Sequence, residues 1–203
     1  PLVLIRETDE HSFAGATQIF IYAPDRPHLF ADIAACLDSC ELDIQDARIM
    51  TSSASDFSLD TFIVLDEEGH SIGNNPARLR DVQHRLLLAI QDPEDTATPN
   101  RRLSRRLKHF SIAPIITVSN DPANHRTVVE VITSDRPGLL ADIGRAFKRL
   151  DLRMQSARIS TLGERVEDVF FVVDNQNEPL HDSHRVAELQ KQLTETIDQG
   201  QHP

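Results

Sequence analysis

Polar and apolar positions along this chain follow two rhythms, a period of two and a period near 3.6, in an order that occurs twice. Thr17 to Ala23 (TQIFIYA) and Thr127 to Thr133 (TVVEVIT) alternate, are rich in β-branched and aromatic residues, and read as strands. Each runs into Asp-Arg-Pro, at 25–27 and at 135–137. Proline fixes φ near a first-turn value and the aspartate can accept from free helix N–H groups, so helices are predicted to start here. The apolar positions that follow are Leu29, Phe30, Ile33, Leu37 and Cys40, then Leu139, Leu140, Ile143, Phe147 and Leu150. Each set lays one stripe along a helix of about three turns. A second strand is predicted over 42–51 and 152–161, followed by a polar hairpin tip that holds Gly163-Glu164-Arg165 in the second copy. The runs Phe62 to Leu65 and Val169 to Val173 lose alternation, which predicts central strands covered on both faces. Asn75-Pro76 and Asp182-Ser183 are start signals for second helices, with stripes Leu79, Val82, Leu86, Ile90 and Val186, Leu189, Leu193, Ile197.

The order repeats because the sequence does. From Asp25 to Thr51 and from Asp135 to Thr161 thirteen of 27 positions are identical, so one unit of about 75 residues is duplicated and one mechanism should explain both halves. With Phe110 to Val118 as a fourth strand of the first copy, the order is β-α-β-β-α-β, a ferredoxin-like split unit. The second copy has only Asp198 to Pro203 after Ile197 and so lacks its own C-terminal strand. Pro1 to Ile5 is strand-like and is expected to pair along a sheet edge, within the chain or between subunits. The fold class is α+β, two such units in tandem. Residues 1–16 form an N-terminal extension and 17–92 plus 107–119 the first unit. A linker at 93–106, Pro-containing and then basic, leads to the second unit at 126–198 and a tail at 199–203.

Composition narrows the function classes. Of the 203 residues 39% are hydrophobic, with no Trp, so the cores must be mainly aliphatic with some Phe. No apolar run approaches the roughly 18 residues of a membrane span, and no basic-then-apolar leader opens the chain, which makes a cytoplasmic location the expectation. A start at Pro1 points to a fragment of a longer polypeptide. Cys36 and Cys40 lie one helical turn apart with no zinc-type spacing, and read as reduced, half-buried thiols. The formal charge of −11 disfavours nucleic acid and anionic membrane as partners. The cations at 101–108 read as a solvated connector between the repeats, with a contact to an acidic neighbour left open. An RNA-recognition module shares the element order, but acidic residues Asp60, Asp66, Asp168 and Asp174 bracket the strands that would have to stack bases.

No catalytic constellation is present in the sequence, and this chain is not expected to be an enzyme by itself. There is no HExxH pair, P-loop, GxGxxG or G-x-S-x-G. Ser53 to Asp60 faintly resembles a nucleotidyltransferase signature without its glycines and reads as a hairpin tip. His181-Asp182 with His184 lacks a ligand set and reads as a capped helix start. No metal ligands are assigned. What is offered, twice, is a polar turn from strand into helix. Free N–H groups there attract carboxylates, and Gly138 lets a ligand approach the backbone. With Asp135 beside Gly138, Leu139 and Leu140, the turn suits an amino-acid zwitterion, although a helix cap with packing suits the same residues and spacing alone favours the cap.

A strand leading into Asp-Arg-Pro-Gly-Leu-Leu-Ala-Asp-Ile, then Ala-Arg-Ile-Ser-Thr, then Gly-Glu-Arg-Val-Glu-Asp-Val-Phe resembles an ACT domain, a small amino-acid-binding regulatory module. The ordered pair, over most of 17–198, resembles the C-terminal tandem of the bacterial bifunctional PII uridylyltransferase/uridylyl-removing enzymes. The resemblance implies a glutamine-sensing module of nitrogen metabolism, attached to catalytic domains that modify the PII protein. Mg and UTP would belong to those absent domains, with no cofactor in this fragment, and the fragment would form a homodimer or pack its units side by side. It also implies a ligand where the strand-to-helix loop of one unit meets the second strand of another. The loop candidates are Asp25, Arg26, His28 and Leu29, and Asp135, Arg136, Gly138, Leu139 and Leu140. The facing-strand candidates are Gln45, Asp46, Ala47 and Arg48, and Gln155, Ser156, Ala157 and Arg158. Helix-start N–H groups would take the ligand carboxylate, Asp135 and strand carbonyls its ammonium, and Gln155 or Ser156 its side-chain amide. Because His28 stands where the second copy has Gly138, the second loop is expected to bind better. The rival reading is a ligand-free dimerisation or partner-docking module.

Overall fold

A computed structural model describes residues 1–8, 15–52, 56–91 and 112–201. The linker at 93–106, with its basic run at 101–108, lies outside the described residues, as do hairpin residues 53–55. The first unit comprises β1 (Leu2–Glu7), β2 (Thr17–Pro24), α1 (Leu29–Ser39), β3 (Leu42–Ser52), β4 (Phe57–Asp66) and α2 (Pro76–Gln91). The second comprises β5 (Ile115–Asp121), β6 (Arg126–Ser134), α3 (Leu139–Arg149), β7 (Arg153–Leu162), β8 (Arg165–Val173) and α4 (Ser183–Gln201). All strands join one antiparallel sheet in the order β1-β2-β4-β3-β7-β8-β6-β5.

The N-terminal segment pairs along a sheet edge within the chain, as expected: β1 lies antiparallel to β2, with Leu2 opposite Tyr22 and Glu7 opposite Thr17. One assignment changes. The strand expected at 110–118 as the fourth of the first copy runs from Ile115 to Asp121 and pairs with β6 of the second. The edge of β2 is already filled by β1, whereas β5 reaches β6 through the tight turn at 122–125, where Asp121 accepts from Asn124 at 2.7 Å. Adjacent strands joined by a short turn pair with each other. Each unit therefore carries its outer strand first and ends on a helix. α4 also continues to Gln201, past the expected tail start at 199, because Asp198 and Gln199 do not break a helix.

Both second helices start where expected. Asn75 Oδ1 accepts from Ala77 and Arg78 N–H, and Asp182 Oδ1 accepts from His184 N–H at 2.8 Å. The first helices start two residues later than the prolines, at Leu29 and Leu139. Their N-cap residues, His28 and Gly138, hold left-handed backbone at φ 68° and 76°, and neither makes a side-chain cap. β4 and β8 are central within their units, but helices cover only one face of the sheet. Alternation persists, with Ser58, Asp60, Phe62 and Val64 buried inward and their copies Val166, Asp168, Phe170 and Val172 likewise. On the open face neighbouring side chains supply the cover, for example the Arg126 guanidinium 3.9 Å from the Phe171 ring centroid.

The two units join through β3 and β7, from Asp46 opposite Ser160 to Met50 opposite Ser156. Arg48 pairs with its own duplicate, Arg158, so the approximate two-fold axis of the repeat passes between them. Across that axis α1 packs on α3, and the core is shared: Phe30 of the first unit and Phe147 of the second both meet the Phe170 ring edge-on, at 6.2 and 5.3 Å. A Cβ on Gly144 would fall 2.7 Å from the Ala31 methyl and 2.8 Å from its Cα.

Gly144→Val is therefore expected to force the helices apart, with the overpacking cost of about 1–3 kcal/mol. At about 2–4 °C per kcal/mol for a chain of this size, thermal unfolding should shift down by several degrees; an unchanged midpoint would contradict the close contact. Arg158→Glu should act in the opposite sense. It replaces a like-charged cross-strand pair with an attractive one, worth about 0.2–1 kcal/mol, and differential scanning calorimetry should show a small rise in the midpoint.

Candidate functional site

The pairing of β3 with β7 sets each unit's Asp-Arg-Pro loop against the start of the other unit's second strand, and a cleft opens at each place. The first, about 480 Å³ including its open mouth, is lined by the loop from Asp25 to Ala31, by Asp60, and by Leu152, Arg153 and Met154 from the second unit. The second, about 420 Å³ on the same measure, is lined by the loop from Asp135 to Ala141, by Asp168, and by Leu42, Asp43 and Ile44 from the first.

The loop residues Asp25, Arg26, His28 and Leu29 line the first cleft, and Asp135, Arg136, Gly138, Leu139 and Leu140 the second. None of the facing-strand candidates, 45–48 or 155–158, lines either cleft. Those residues lie at the middle of the β3–β7 seam or beside it. An irregularity between Ile44 and Asp46, and another between Met154 and Ser156, separates the seam from the strand starts. Residues 43–44 and 153–154, one step earlier in the chain, take the facing role.

The helix-start donors are partly committed. Leu29 N–H donates to the Arg26 carbonyl at 3.3 Å and Leu139 N–H to the Arg136 carbonyl at 3.2 Å. Gly138 and Leu140 N–H, at the start of α3, have no carbonyl partner within the helix. Both loop arginines are structural. Arg26 ion-pairs with Asp32 at 2.6 Å and donates to the Ala89 and Ile90 carbonyls, where α2 ends and leaves them open. Arg136 ion-pairs with Asp142 at 2.6 Å, but its Nε is buried without an acceptor. α4 runs on past the corresponding residues, Thr196 and Ile197, so their carbonyls fall inside the helix.

Asp25 does not cap α1. It lies 3.4 Å from Arg153 Nη2 of the second unit, and burial raises its pKa against the opposing pull of that guanidinium. His28 is held below the usual histidine range, first by burial and then by the charge of Lys148. The sequence reading did not place Asp60 and Asp168 in a site. They are 1% exposed, and burial pushes both carboxyls up to about 7. Asp60 accepts from the Ser58 hydroxyl at 2.5 Å. Asp168 accepts from Ser160 N–H at 3.2 Å with Oδ1, while Oδ2 is buried without a partner. Parity was the available signal, since each aspartate stands two residues before an inward phenylalanine on the same strand. Cys36 is buried and Cys40 half-buried, both free thiols.

Residues 127–183 match the ACT domain. The second unit is an ACT domain. The first, with the same elements and register, is its repeat, and the chain is a tandem of ferredoxin-like ACT units. Across 98% of its length the chain is 52% identical to the bifunctional uridylyltransferase/uridylyl-removing enzyme of Azotobacter vinelandii strain DJ, over 22% of that protein. It is 51% identical over its full length to the protein of that description from Pseudomonas syringae pv. tomato, covering 23% of it. It is 50% identical over 99% of its length to that of Pseudomonas putida W619, covering 22%. The chain thus spans under a quarter of these relatives. Aspartate kinase from Synechocystis aligns over 91% of the chain and 28% of that protein, at 17% identity and a TM-score of 0.46, and adds nothing to the fold read from the sheet itself. No helix among the described residues is long and apolar enough to cross a membrane. No cluster of three or more His, Cys, Asp or Glu among them suits a metal.

The ACT carboxyls Asp60 and Asp168 carry a pH signature. Their folded pKa of about 7 exceeds an unfolded value of about 4, so the native state holds more protons between those limits. Stability should fall as pH rises from about 4 to about 7 and level off above. Asp168→Asn keeps the Ser160 contact and removes the charge. Denaturant titrations across that range should show a flattened slope and a variant at least as stable as wild type at pH 8; a slope unaltered in both Asp168→Asn and Asp60→Asn would refute the assignment.

Proposed function

We propose that this chain is the glutamine-sensing regulatory part of an enzyme that adds UMP to, and removes it from, the PII nitrogen-signalling protein. The observation that carries the reading is that each cleft is built from a loop of one ACT unit and a strand start of the other. A ligand there contacts both units at once, and its binding energy differs between positions of the loop and first helical turn that bound the cleft. That differential is what an allosteric effector requires. A buried carboxyl, open helix-start N–H groups and an inter-unit Asp25–Arg153 pair supply acceptors and donors for an amino-acid zwitterion. Chemistry on PII would reside in other domains of the longer protein.

A docking or dimerisation module is the second reading, favoured by one observation. The open side of the first unit carries exposed Leu2, Leu4, Tyr22 and Met50, and Tyr22 stacks on Phe57 with ring centroids 4.8 Å apart. Isothermal titration calorimetry separates the two, and the lack of Trp makes calorimetry preferable to intrinsic fluorescence. Saturable heat with L-glutamine, absent with L-glutamate, L-serine and D-glutamine, is the expected result. A folded chain that gives no heat with any of them would leave the docking reading in its place.

A further inference from the structure

The clefts share backbone donors and differ in side-chain donors. Each has the first turn of a helix at one wall. At the facing strand start, the first cleft has Arg153 where the second has Asp43, and these are one position of the duplicated unit. The exchange recurs on the neighbouring helix. Lys148, close enough to depress His28, corresponds to Asp38, whose Oδ2 lies 3.5 Å from where a Cβ on Gly138 would sit. At these two positions the first cleft has cations in or beside its wall where the second has carboxylates.

Arg153 crosses from the second unit to the Asp25 of the first through one long contact of 3.4 Å, donates to Asn177 Oδ1 at 3.1 Å, and keeps its side chain 41% exposed. It can turn to an incoming carboxylate with the two-pronged geometry that guanidinium offers, and Asp25 is then available to the ligand's ammonium. The second cleft has no counterpart. Asp38 and Asp43 offer a ligand carboxylate no cationic donor, whatever partners they have. Arg136 is held by Asp142 and the Pro137 carbonyl with its side chain 7% exposed, so although its Nε lacks an acceptor it cannot swing to a ligand as Arg153 can. The left-handed N-cap does not separate the clefts either, since His28 holds nearly the same φ as Gly138.

Resting on the amino-acid reading above, we propose that the first cleft alone takes an α-amino acid, one per chain, and that Arg153 selects its carboxylate. The expectation from the sequence, a better site at Gly138, is thereby reversed on chemical grounds. The test is calorimetric titration of the chain with L-glutamine and with its α-carboxamide analogue, using Arg153→Gln, Asp43→Asn and Asp43→Arg, each checked for fold by circular dichroism. Wild type should bind one L-glutamine. Arg153→Gln should weaken it about tenfold or more, the loss of a charge-assisted contact, with no effect on the carboxamide, which a merely structural role would not spare. Asp43→Asn should leave binding as it is, and Asp43→Arg should add a second site. Two equivalent sites in wild type, or full affinity in Arg153→Gln, overturns the proposal while the amino-acid reading stands. Absence of binding by any α-amino acid overturns both.

Discussion

Everything that makes a site in this molecule depends on five residue pairs, 46–50 of β3 against 156–160 of β7. The seam removes two exposed sheet edges, one from each unit, and leaves only β1 and β5 at the rims. Its register centres on Arg48 and Arg158, and only that register puts both loops opposite both strand starts. A slip of two residues along the ladder would keep the inward faces inward, yet it would carry the start of β7 about 7 Å along β3 and break the 3.4 Å contact of Arg153 with Asp25. The irregularities just outside the seam, at Ile44/Asp46 and Met154/Ser156, re-aim the strand starts toward the partner's helix. The close approach of Gly144 to Ala31 then locks the helical layer in the same register.

Within that frame the duplicated halves have kept some groups and exchanged others. Both retain the Asp-Arg-Pro turn, the arginine tied to the aspartate six residues on, and the buried carboxyl on the central strand. A carboxyl in an apolar layer is unfavourable when ionised, and nothing in the packing of Phe62 or Phe170 calls for one. Groups placed against stability in this way are what a binding wall contains. The exchanged positions are those at the cleft mouths, Arg153 for Asp43 and Lys148 for Asp38, where a change of sign alters what enters without disturbing the core.

Much of this was legible in the sequence because it rests on local rules. Period-two and period-3.6 patterning located the repeated strands and helices, Asn75 and Asp182 announced their caps, and the duplication fixed the tandem. Partner choice between strands was less legible. Ile115 to Val118 is β-forming beside either unit, and only the occupied edge of β2 and the tight Asp121-Pro122 turn send it to β6. The loops could be read as candidates because their composition is unusual. Which strand residues line the clefts was not legible, since a single step along a strand depends on the register of a contact 110 residues away. Asp60 and Asp168 were visible as acidic flanks, and their inward orientation follows from parity with Phe62 and Phe170 once strand ends are known.

The seam also constrains how any ligand at a cleft can act at a distance. Rocking one unit against the other would break backbone hydrogen bonds of β3 with β7, each worth about 1 kcal/mol net. It would also open the shared aromatic contacts of Phe30 and Phe147 with Phe170. Allosteric couplings are typically about 1–3 kcal/mol in total, which does not cover that loss. The response therefore has to run through elements outside the ladder. The Asp-Arg-Pro loops and first turns of α1 and α3 meet that condition: they bound the clefts, and His28 holds a left-handed backbone that a histidine adopts at some cost. Arg26 links the first loop directly to the carbonyls at the end of α2. A shift of that loop on ligand binding would be felt at the helix end, while the eight-stranded sheet stays as it is.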